Sequence, residues 1–230
     1  MVASDAQRRS IRAQAISIGL AISPFGLAFG ALCAESGVGV WEALGFSSLV
    51  FGGSSQFAAV SVLADEGTVI AAVTAGLLLN LRSLAFGVSM APSLKGSLLW
   101  RAGVSQLMID ESTAIGSSQS THELRRYGYL WGGLSVFVLW NATTLIGVSV
   151  LSEAESLITD LGIDATIPAA FLGLIWNKLE NAKHRVIALI GAITALILIP
   201  ITPAGIPVIA AASAIIWVRP WIVREGDNYE

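Results

Sequence analysis

Four stretches of this chain carry no charged residue over lengths that a water-facing helix does not sustain. They run Ala13–Ala34, Ala43–Ala64, Tyr127–Ser152 and Val186–Val218. A helix needs about 20 mostly apolar residues to cross a bilayer. The runs are continuous rather than alternating, which argues against a β-barrel. The last holds Pro200, Pro203 and Pro207 near its middle. Proline interrupts helical bonding, so this run reads as two segments joined by a tight turn.

The composition agrees. Only 13% of residues are charged, against about 25% in soluble domains. Mean hydropathy is +0.73. So few charges cannot coat a water-facing surface, which disfavours a soluble enzyme and a disordered protein. A net charge of −3 without a basic patch argues against nucleic acid as a partner. The one cysteine, Cys33, lies inside an apolar run, so no disulfide or metal framework is expected. His122 and His184 sit in polar gaps. There is no Gly-rich phosphate loop, no His pair at ligand spacing and no nucleophile motif. An enzyme is therefore not expected, nor a cofactor, and drive by ATP would need another chain. Polar Ser4–Arg12 precedes an apolar run too long for a signal core, so no cleavable signal is expected.

Eight hydrophobic segments are predicted, near 13–34, 43–64, 67–91, 102–117, 128–151, 165–177, 186–200 and 204–223. Short connections make them one all-α polytopic membrane bundle over residues 1–230, with tails before about 11 and after about 224. Arg8, Arg9 and Arg12, then Arg125 and Arg126, then Lys178, Lys183 and Arg185, then Arg224 fall in alternate gaps. Lys and Arg favour the cytoplasmic side, so both termini are expected there. Simple alternation would put Asp65 and Glu66 inside and Lys95 and Arg101 outside, against that bias. Re-entrant second and fourth segments remove the conflict and leave six full spans. Trp100, Trp131, Trp217 and Trp221 read as interfacial anchors. Trp140, mid-segment beside Asn141, reads as packing, with stacking on a substrate as the alternative.

The block Phe51-Gly52-Gly53-Ser54-Ser55-Gln56 sits in the middle of the second segment. It reads either as a tight helix crossing or as a discontinuous helix whose freed backbone faces a cavity. Pro24-Phe25-Gly26-Leu27-Ala28-Phe29-Gly30 is echoed by Pro168-Ala169-Ala170-Phe171-Leu172-Gly173. The echo is either chance or the trace of an inverted repeat, whose interface commonly holds a transporter's site.

Charges within the apolar segments are the candidate functional groups, since each costs roughly 2.5–3.5 kcal/mol at a helix centre. Arg82 lies in Asn80-Leu81-Arg82-Ser83. It is either a snorkelling or paired structural arginine, or it grips a substrate carboxylate through two parallel hydrogen bonds. Asp110 and Glu111 lie in a segment where Gln106, Asp110, Thr113 and Ser117 fall at helical spacing and are expected to form one polar stripe. A buried carboxylate there can carry a proton or pair with Arg82 or a substrate ammonium. Gln56, Asn80 and Asn141 are mid-membrane amides that join helices or bind substrate.

Taken in order, these blocks resemble the AzlC family, the large subunit of branched-chain amino-acid exporters of the AzlCD or BrnFE type. The matching blocks are Pro24–Gly30, Ser48–Phe57, Asn80-Leu81-Arg82, Gly87 with Ala91-Pro92, Asp110-Glu111 and Pro168–Phe171. Departures fall at Gly53, where the family usually has Ala, and at Ser83, Phe86 and Thr113-Ala114, and they bear on substrate range. The resemblance implies a small AzlD-type membrane subunit as partner. It also implies export of leucine, isoleucine, valine and often methionine, driven by an ion gradient. On that basis Arg82 would hold the substrate carboxylate with a half-helix N-terminus near Gly52 and Gly53. Asp110 or Glu111 would hold the ammonium or carry a proton, and Gly26 and Gly30 would leave room for the aliphatic side chain. One methylene is worth only about 1–3 kcal/mol of discrimination, which predicts broad aliphatic selectivity. The rival readings are a structural subunit that transports nothing alone, and a channel for small polar solutes.

Overall fold

A computed structural model describes residues 4–151 and 176–202, with positions 172, 206, 207, 209–211 and 213 besides. The described residues are helical, and no strand occurs among them. Helix α1 spans Asp5–Glu35. Its start is fixed by a capping box: the Gln7 N–H donates to Ser4 Oγ, and the Ser4 N–H donates to Gln7 Oε1. The helix thus begins well before residue 13, and Arg8, Arg9 and Arg12 are helical rather than part of a loose tail. It continues through Pro24. Helix α8, His122–Leu151, lies beside it.

These two helices run parallel and in register. Arg8 pairs with Glu123 at one end, Gly19 faces Ser135 and Leu139, Gly26 faces Trp140 and Thr143, and Gly30 faces Thr144 and Val148. Bare Cα atoms let the backbones approach closely. A Cβ at Gly26 would lie 2.9 Å from the Trp140 carbonyl oxygen, and one at Gly30 would lie 2.7 Å from the Val148 nitrogen. The space expected for a substrate's aliphatic chain at Gly26 and Gly30 is therefore filled by α8. These glycines build a helix crossing.

The second segment is broken as Gly52 and Gly53 suggest. Helix α2 spans Val40–Leu49 and α3 spans Gly53–Ala64. Ala43 and Val60 both cluster with Leu32 and Cys33 near the C-terminal end of α1. Between them the chain descends to Phe51, whose ring meets Phe137 at 5.0 Å between centroids. The hairpin therefore enters from the Glu35 end, turns at mid-depth and returns. Helix α4, Val69–Asn80, runs back along α3, and α5, Arg82–Met90, continues to the opposite end. There Ser93 Oγ lies 2.9 Å from His122 Nδ1.

The fourth segment forms a second hairpin of opposite sense. Helix α6, Leu98–Ser105, starts at the basic end, where the Arg126 guanidinium lies 4.6 Å over the Trp100 ring. It reaches mid-depth, breaks, and returns as α7, Asp110–Ser117. Ile109 packs with Val136 and Trp140 at mid-depth, while Ile115 packs with Ile11 and Leu124 near the basic end. Lys95 and Arg101 thus share an end with Arg8, Arg12, Arg125 and Arg126, while Asp65 and Glu66 lie towards Glu35. Two hairpins account for this placement, where simple alternation of spans does not.

The break at 106–109 overturns the continuous polar stripe expected from Gln106 to Ser117. Ser112 holds the break, accepting from the Ile109 N–H at 3.1 Å and donating to the Leu107 carbonyl at 2.6 Å. Gln106 points away from α7 and serves the other hairpin. Its Nε2 donates to the carbonyls of Ser48 at 2.7 Å and Leu49 at 3.1 Å. Gln56 Nε2 donates to those of Ser47 at 3.1 Å and Val50 at 2.7 Å. A helix leaves its last four carbonyls without internal partners. Two glutamine amides supply most of what α2 lacks.

Among the described residues, three helical stretches are long and apolar enough to cross a membrane by length and composition: Asp5–Glu35, Val69–Met90 with α4 and α5 taken together, and His122–Val150. Helix α9, Ala182–Leu198, follows a 3-10 turn at Asn177–Glu180 and ends in a turn at Ile199–Thr202, as the proline-rich stretch predicts. The Pro168 block, Trp217, Trp221 and most of the last segment lie outside the described residues. So does the repeat suggested by that block.

Candidate functional site

Three helix starts converge at mid-depth: α3 at Gly53, α5 at Arg82 and α7 at Asp110. Helix N-termini concentrate unpaired amides and positive potential. The cap of α3 is Gly52, which offers no side chain to its first amides. Between these starts lies an open-mouthed cavity, with about 580 Å³ of space when the solvent at its mouth is included. Its lining includes the polar or small residues Gly52, Gly53, Ser54, Arg82, Asp110 and Glu111 and the apolar and aromatic residues Ile22, Phe25, Phe51, Phe57, Ile109, Val136 and Trp140.

Arg82 and Asp110 form an ion pair, with Nη1 and Oδ2 2.8 Å apart. The other terminal nitrogen of Arg82 donates to Ser54 Oγ at 2.8 Å. Arg82 does not snorkel to an interface. The break at Leu81 restarts the helix at Arg82 and presents the guanidinium sideways, to two helices that begin beside it. The two side chains are 36% and 37% exposed. At that exposure an ion pair is worth no more than about 1 kcal/mol, so a better-fitted partner can displace it. Asp110 stands in the first turn of α7, where the helix dipole favours a carboxylate.

Other predicted residues lie elsewhere. Gln56 is fully buried behind the cavity, with its amide spent on α2. Asn80 ends α4 beside Gly52, where a Cβ would lie 2.9 Å from Asn80 Oδ1. Asn141 accepts from Ser48 Oγ at 2.9 Å and donates to the Phe137 carbonyl, tying α2 to α8. Pro24 lies within α1, between the cavity residues Ile22 and Phe25. Ser54 was not singled out by the sequence, although it lies in the Gly-Gly-Ser-Ser-Gln block. The aromatic wall was missed as well. Its signal is the spacing of Phe51 and Phe57 on either side of the glycine break.

Comparison with known proteins places this architecture. The AzlC family model, described as AzlC protein, matches residues 17–153, which include every cavity residue. Two relatives from Helicobacter pylori are each named an uncharacterized membrane protein. One, from strain J99, is 31% identical over 101 residues, 44% of this chain and 44% of that protein. The other, from strain 26695, is 24% identical over 185 residues, 79% of this chain and 80% of that protein. The chain thus matches less than half the length of the first relative. No solved structure matches it significantly. The family match covers more than half of the 230 residues and takes in both hairpins and the charged cavity, and the chain is a membrane protein of the AzlC family.

Proposed function

We propose that the chain is the large subunit of a secondary transporter that exports branched-chain and other hydrophobic amino acids by proton-coupled alternating access. The observation that carries this reading is a cavity lined both by a paired guanidinium and carboxylate and by aromatic and aliphatic side chains. A zwitterionic amino acid with an apolar side chain needs both kinds of group. Its carboxylate takes the Arg82 guanidinium, helped by the amides at the start of α3, and its ammonium takes Asp110. Substrate then replaces an internal ion pair with two external ones, and the net charge of the site does not change. The empty carrier is neutralised by the same pair. Glu111, also in the cavity wall, is the group assigned to carry the proton.

The family resemblance supports a small AzlD-type subunit as partner. The outer side of α4 and α5 offers an apolar face to such a partner or to lipid, with Ile70, Leu77, Leu84 and Val88 all more than half exposed. The proposed setting is the cytoplasmic membrane, with several crossings and both termini in the cytoplasm. The basic end formed by Arg8, Arg12, Arg125 and Arg126 then faces inwards.

The test is counterflow of radiolabelled leucine into liposomes, with and without the co-expressed small subunit and with an imposed pH gradient. Uptake that follows the gradient is expected. Failure of every aliphatic amino acid to exchange, with the partner present, overturns the substrate class. Flux that ignores the gradient favours a channel.

A further inference from the structure

The apolar side of the cavity is bounded by a side chain with no room to retreat. Trp140 is 5% exposed. Phe29 stacks on it with centroids 6.2 Å apart, and Phe57 meets it edge-on at 6.3 Å. On a further side stands Gly53. A Cβ there would lie 2.9 Å from the Trp140 ring carbon Cη2, closer than real Cβ contacts come. The residue also lines the cavity. Its Nε1 is buried without a hydrogen-bond partner among the described residues. A ring that sacrifices its N–H bond is held by packing.

We propose that Trp140 is the gauge of substrate size, and that Gly53 sets how far the ring stands back from the cavity. The inference rests on the reading of this cavity as the amino-acid site and adds its specificity device. Aliphatic side chains end against the indole face. Phenylalanine and tyrosine need the volume that the indole occupies and are excluded. Residue 53 acts in the opposite sense to residue 140. A methyl group at Gly53, itself in the cavity wall, meets the ring edge and takes up space beside it.

Two substitutions therefore move selectivity in opposite directions. Trp140→Ala opens the apolar end, and the ratio of phenylalanine to leucine uptake rises by about tenfold or more. Gly53→Ala narrows it, and the ratio of leucine to alanine uptake falls by about fivefold or more. Each value is a ratio of two substrates on one variant, so a loss of protein or of overall rate cancels. Where Trp140→Ala does not fold, Trp140→Phe and Gly53→Ala carry the test, scored by the same ratios in liposomes holding the full complex. Ratios unchanged in folded, active variants overturn the gauge. If the unsubstituted complex exchanges none of these amino acids, the reading of the site fails and the gauge with it, which is a different result from unchanged ratios. Quenching supplies a second readout. Leucine changes tryptophan emission in the unsubstituted protein, and the change is smaller in Trp140→Phe although leucine still binds. An identical change in both proteins overturns the proposal.

Discussion

Arg82 on α5 and Asp110 on α7 meet at 2.8 Å across the mouth of the cavity, each with more than a third of its side chain exposed. The pair joins the one helix that passes between the hairpins to the tip of the second hairpin. If its role is exchange with substrate, then Arg82→Lys removes the planar fork while keeping the charge, and Asp110→Asn removes the acceptor. Each is expected to cut leucine export roughly ten- to a hundredfold, on the scale of a charge-assisted hydrogen bond at about 1.5–3 kcal/mol. Co-purification of the small subunit should be unchanged. Loss of assembly in both variants would instead assign the pair a structural role.

Glu111→Gln separates exchange from coupling. The neutral side chain keeps the size and polarity of the wall, so leucine counterflow should persist within about threefold, well inside the loss given for a charge-assisted hydrogen bond. Concentrative transport driven by an imposed pH gradient should vanish. Retention of gradient-driven accumulation would move the proton to another group.

Gln106→Ala strips donors from the carbonyls of Ser48 and Leu49 at the end of α2. One of these hydrogen bonds is part-buried and the other exposed, and a typical bond contributes about 0.5–1.5 kcal/mol. A lowered unfolding temperature in detergent is expected, against no loss for the exposed Gln14→Ala. Equal melting of the two variants would mean that lipid or water meets these carbonyls unaided.

Two glycines predict opposite signs. Gly30→Ala places a methyl 2.7 Å from the Val148 nitrogen and should cost about 1–3 kcal/mol through overpacking. Gly45→Ala, with nothing within 4 Å of the new methyl and a helical backbone, should stabilise by up to about 1 kcal/mol. Thermal unfolding of the two proteins checks the contrast.

Cysteine labelling tests which ends face together. In a Cys33→Ala background, Ser97→Cys should react with a membrane-impermeant reagent only from the cytoplasmic side. Asp65→Cys should react only from the other side. Access to Ser97→Cys from outside alone would rule out the inverted pair of hairpins.

Much of this arrangement could be read from residue order. The uncharged runs mark α1 and α8, and the apolar segment near 67–91 marks the α4–α5 stretch in spite of Arg82, because crossing a bilayer is a matter of length and hydropathy. The Gly52-Gly53 break is legible too, since two residues without side chains weaken a helix locally. The break at 106–109 is not. Nothing in Gln106-Leu107-Met108-Ile109 forbids a helix, and the interruption is held by Ser112 and by the attraction of Gln106 to another hairpin. The stripe drawn through Asp110 failed for that reason. Arg82 and Asp110 stand out because intramembrane charge is costly wherever it lies, and their pairing is one of several alternatives the residues leave open. That the two meet at one cavity is a product of topology. Gly26 and Gly30 were misassigned because a bare Cα signals close approach without saying whether a ligand or another helix arrives.

The glutamine clamp has a consequence for how the protein is made. Gln56 completes part of the end of α2 from within the hairpin, but Gln106, the donor to Leu49 and Ser48, stands 57 and 58 residues further along the chain. When α2 and α3 leave the ribosome, Gln106 does not yet exist. A bare carbonyl in hydrocarbon costs several kcal/mol, so the first hairpin cannot be released into lipid by itself. It must wait in a hydrated or shielded place until its counterpart has been synthesised and can enter from the opposite face. Membrane insertion of this protein is then a joint event between two hairpins rather than a helix-by-helix sequence.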